Sequence, residues 1–113
     1  MNINQIDRMV ATIPTNVEGR QRARIDGYAA AARRCEERIC ALRADLEQAL
    51  RALGDAAHAG GPCEEPADRA LDTARELDSL ERVQPRIDAW LRVAVSALSD
   101  EPLAAPSFGE GPT

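Results

Sequence analysis

From Ile25, steps taken alternately by three and four residues land on Tyr28, Ala32, Cys35, Ile39, Leu42, Leu46, Ala49, Leu53 and Ala56. None of these is charged, and most residues between them are Arg, Glu, Asp or Ala. Such a heptad stripe predicts one long amphipathic helix. Thr15, with Glu18 three positions on, has the spacing of a capping box, which puts the helix start at residue 16. "AGG" at 59–61 and Pro62 end it near His58. Upstream, Ile3, Ile6, Val10 and Ile13, with Met9, have the spacing of a short amphipathic helix that Pro14 closes.

A second stripe runs through Leu77, Leu80, Gln84, Ile87, Leu91, Ala94 and Leu98, widened by Val83, Trp90 and Val95. Pro66 suits a first helical position, so this helix is expected from residue 66 to about 99. Pro85 falls inside it and predicts either a bend near Val83 or two helices, 66–83 and 86–99. The expected fold is all-α: a long, coiled-coil-like antiparallel helical hairpin, residues 15–99, with its hinge at 59–65. Residues 1–14 add a short helix. Residues 100–113, rich in Pro and Gly, read as a disordered tail.

Composition narrows this picture. The chain has 113 residues with one Trp, one Tyr and one Phe, and abundant Ala. Narrow helix–helix packing suits that; a β-sandwich does not. A core this small is marginal for one chain. The stripe Ile25, Ile39, Leu42, Leu46, Leu53, Leu80, Ile87, Trp90 and Leu91 is therefore expected to meet a partner protein or a second copy, giving a homo-oligomer or a permanent hetero-complex. There is no apolar run of the ~18 residues that a membrane span needs. No basic n-region or apolar h-region opens the chain, and three cysteines argue against a disulfide framework. A cytoplasmic location is expected, with delivery into a host cell without a cleaved signal as the lesser alternative.

Charge is uneven. Glu64, Glu65, Asp68, Asp72, Glu76, Asp78 and Glu81 face only Arg69 and Arg75 within residues 64–81, an acidic patch. Arg20, Arg22 and Arg24 form a basic patch with no acid among them. All fourteen basic residues are Arg, which codon usage in a GC-rich genome explains most simply. A net charge of −5 and the lack of aromatics between the arginines disfavour direct nucleic-acid binding.

The residues supply little catalytic chemistry. Cys35 and Cys40 lie on different sides of a helix, and Cys35 is read as core. His58 and Cys63 flank a mobile turn with no orienting group, so neither a metal site nor a Cys–His nucleophile is expected. No cofactor is expected, and the chain is read as a non-enzyme. In size, acidity and helicity it resembles the small helical chaperones and needle-associated proteins of bacterial type III secretion. Its hairpin resembles the Trp-x-Gly group of secreted helical hairpins, although "AGGPC" has no Trp-x-Gly and no C-terminal Tyr-x-x-x-Asp/Glu is present. The leading expectation is a helical protein–protein interaction module, an adaptor or chaperone in a bacterial or phage assembly. The alternative is an acidic inhibitor presenting residues 64–81 to the basic nucleic-acid groove of another protein.

Overall fold

A computed structural model describes the backbone of residues 1–104 and the side chains of residues 1–98. Three helices follow in order: α1 (Ile3–Ala11), α2 (Gly19–Ala59) and α3 (Glu64–Ala104), with no strand among the described residues. The two long helices pack against each other as an antiparallel hairpin. By packing, the chain divides into two compact units: Met1–Arg34 together with the chain from Pro85 onward, and Cys35–Gln84.

The ends of the helices follow from local chemistry. Asn2 caps α1: its side chain accepts from the Gln5 N–H and the Gln5 side chain accepts from the Asn2 N–H, both at 2.9 Å. The expected start of α2 at residue 16 is corrected to Gly19. Glu18 is itself the cap, its carboxylate accepting from the N–H groups of Arg20 (3.0 Å) and Gln21 (3.2 Å). A carboxylate there also complements the positive end of the helix dipole. At the other end of α2, Gly60 takes φ +74°. The Gly61 N–H reaches the Ala56 carbonyl at 2.8 Å and the Gly60 N–H that of Ala57 at 3.2 Å. This is the Schellman arrangement that glycine adopts without a Cβ penalty.

α3 begins at Glu64, before the expected 66, so Pro66 occupies the third helical position. The first four N–H groups of a helix have no partner within it, and proline loses nothing there. Of the two expectations for Pro85, two separate helices do not form: α3 runs as one helix through it. The helix also continues to Ala104, past the expected end at 99. The rest of the expected tail, residues 105–113, lies outside the described residues.

The unit made by α1 and the flanking parts of α2 and α3 has a core of Ile6, Ile13, Ile25, Ala29, Ala32 and Leu91. The alanines let helices approach closely while the isoleucines and Leu91 fill the space between. Two ion pairs tie α1 to its neighbours. Arg33 donates to Asp7 at 2.8 Å, and the Met1 ammonium pairs with the buried carboxylate of Asp88. The Cys35–Gln84 unit is a two-helix seam centred on Cys35, Ile39, Leu42, Ala49, Ala70 and Leu77, all buried. Arg38 bonds Glu76 at 2.8 Å and Arg43 bonds Glu81 at 2.9 Å, each bridging α2 and α3.

Candidate interaction surfaces

The heptad stripe turns inward. Ile25, Ile39, Leu42 and Leu91 are at most 2% exposed, and Leu46, Leu53, Leu80 and Ile87 are half-buried. Most of the stripe is taken up inside the chain, in the hairpin that the two stripes predict. Each helix presents its stripe to the other, and α1 covers part of what remains.

Trp90 is the exception, at 54% exposed. Asp88 and Arg92 flank the side of α3 that meets α1, Asp88 through the Met1 ammonium and Arg92 beside Met1, Met9 and Thr12. Trp90 stands two residues from each, which is about 200° around the helix. It therefore points away from α1. Its indole lies against the Tyr28 ring, centroids 6.0 Å apart and tilted by 38°, a favourable aromatic geometry. Val93, one turn further on, is 67% exposed. Arg24 and Arg86 precede Tyr28 and Trp90 by one turn each, so they border the same surface. The sequence missed this juxtaposition, because it needs the register between α2 and α3. The signal that was legible is Trp90 lying off the strict heptad trace.

The basic patch is looser than its spacing suggested. Arg22 is held by Asp26 at 3.2 Å, whereas Arg20 and Arg24 have no ion-pair partner among the described residues. The acidic patch splits in two. Glu76, Asp78 and Glu81 are engaged by Arg38, Arg82 and Arg43. The Arg38 hydrogen bond holds the Glu76 carboxyl below the ordinary glutamate value, and the same bond raises the Arg38 guanidinium. Glu81 acts likewise on Arg43, again chiefly through the hydrogen bond. Glu64, Glu65 and Asp68 remain without an ion pair among the described residues, and Asp72 meets Arg75 only at 3.9 Å. These four acids, with Arg69, line an open groove of about 970 Å³ floored by Ala52, Ala56, Pro62 and Pro66. That is room for several side chains.

No protein-family model, curated protein or solved structure matches the chain. The surfaces must therefore be read from their own chemistry. Cys35 donates to the Leu80 carbonyl at 3.8 Å inside the seam, as expected for a core thiol. Cys40 is exposed beside Glu36, and Cys63 is half-buried over the Gly61 carbonyl. Among the described residues no group of three or more His, Cys, Asp or Glu is placed to hold a metal ion. No helix among them is long and apolar enough to cross a membrane.

Proposed function

We propose that the protein is a non-enzymatic helical interaction module, of the adaptor or chaperone kind, that works through the Tyr28–Trp90–Val93 surface. One observation carries this reading: the chain's single Trp lies more than half exposed among the described residues, beside the exposed Val93. Tryptophan is the residue most enriched among the anchors of protein interfaces, where a large rigid ring is desolvated at little entropic cost. Seam and core are already satisfied inside the hairpin, so this surface is left for a partner.

A photo-reactive residue placed at Val93 is expected to give an adduct of discrete mass in cells that make the protein. The same residue at Glu47, exposed on α2, is expected to give none, and Trp90→Glu is expected to abolish the Val93 adduct. Adducts to a second copy or to a different protein both support the module; no adduct from Val93 removes it.

The acidic groove favours a second reading, an inhibitor that occupies a basic nucleic-acid site on another protein. Glu65, Asp68 and Asp72 would carry it, since Glu76, Asp78 and Glu81 are engaged within the chain. Inhibition of this kind weakens as salt is raised. A partner held equally well at high salt would count against it.

A further inference from the structure

The two units are left with unmatched charge of opposite sign. In the Cys35–Gln84 unit Glu64, Glu65 and Asp68 lack an ion pair among the described residues, and they line an alanine-floored groove. In the other unit Arg20, Arg24 and Arg86 lack one too, and the last two border Tyr28 and Trp90. Each surface has what the other needs. The groove offers carboxylates around small apolar side chains, with volume for an aromatic ring. The arginine surface offers guanidiniums beside the exposed Trp90 and the half-buried Tyr28, and the acids of those turns are engaged within the chain, Asp26 by Arg22 and Asp88 by the Met1 ammonium. Arginine donates to carboxylates in a planar fork and is more readily desolvated than lysine, which suits it to such a contact.

We infer that the protein binds a second copy of itself, the Tyr28–Trp90 arginine surface of one chain docking into the Glu64–Asp72 groove of another. This rests on the interaction-module reading and names its partner. Complementary potentials fix register and exclude wrong pairings, while the buried rings and alanines contribute the apolar area. Glu64 and Glu65 sit in the first turn of α3, on the groove's rim.

Light scattering after size exclusion tests this on the full chain. The wild-type protein at about 100 µM is expected to exceed the mass of one chain, with association weakening about tenfold or more between roughly 50 and 500 mM salt. Arg24→Glu with Arg86→Glu, and separately Glu65→Arg with Asp68→Arg, are each expected to give monomers. All four positions are exposed, so circular dichroism should show unchanged helicity. An equimolar mixture of the two variants is expected to regain the assembly, since the swapped charges then face each other. A monomeric wild type overturns the inference, and so does an assembly that neither variant disturbs or that mixing fails to restore. If the wild type is monomeric while Val93 still cross-links to a different protein, the module reading stands and self-recognition alone is lost.

Discussion

At the scale of single residues, neighbours in sequence carry different duties. Leu91 is fully buried among α1, α2 and α3, whereas Trp90 beside it is mostly outside. Leu91→Ala is expected to cost about 2–5 kcal/mol, a transfer loss plus a cavity. Trp90→Ala is expected to cost about 1 kcal/mol, chiefly the ring contact with Tyr28. Urea titrations followed by circular dichroism measure both, and a Trp90→Ala loss as large as that of Leu91→Ala would mean the ring is structural. Asp88 is the one buried acid among the described residues, with one carboxylate oxygen held by the Met1 ammonium and the other unpartnered. Nothing in the sequence marked it, because its burial depends on where α1 folds back.

At the scale of elements, the period of the apolar residues was enough to foresee three helices and the hairpin. A heptad stripe encodes which side of a helix is buried, whatever buries it. The ends were harder, because capping depends on which residue adopts non-helical backbone. Glu18 as cap and Thr15 with Glu18 as capping box both fit the same letters. The turn at Gly60 and Gly61 was legible, since positive φ has few residues that adopt it. Gly60→Ala is expected to destabilise by about 1 kcal/mol. Gly27 differs: a Cβ there would meet nothing within 4 Å. Gly27→Ala is thus expected to stabilise α2 by about 0.5–1 kcal/mol, which thermal melting of the two variants would show as opposite shifts. Pro85 illustrates the limit of local rules, since a missing N–H in a helix held on its apolar side is tolerated where an isolated helix would break.

For the whole molecule, composition misled in one respect. The acidic run looked like a free patch, yet cross-helix partners on α2 engage Glu76 and Glu81. Those partners lie far away in sequence and become neighbours only through the hairpin register. Exposed pairs of this kind are screened by solvent and contribute little each. Their effect shows in acid. Because Arg38 lowers the folded-state pKa of Glu76, the associated stability is present above the ordinary glutamate value of 4.5 and is lost as pH falls through the lowered value. Glu76→Gln is expected to flatten the acid side of the stability–pH profile, leaving the neutral side parallel to wild type. An unchanged acid limb in denaturant titrations would show that the Arg38 bond does not persist in solution.

Trp90 also makes the protein its own optical reporter. No other tryptophan contributes to emission, so the spectrum reads the environment of one ring at the centre of the proposed surface. Tyr28, in near contact, is placed to pass its excitation to that ring. Occupation of the surface would therefore shift the emission to the blue and shield it from acrylamide, with no label attached. Occupation of the acidic groove by an unrelated ligand, by contrast, would leave the colour of Trp90 unchanged.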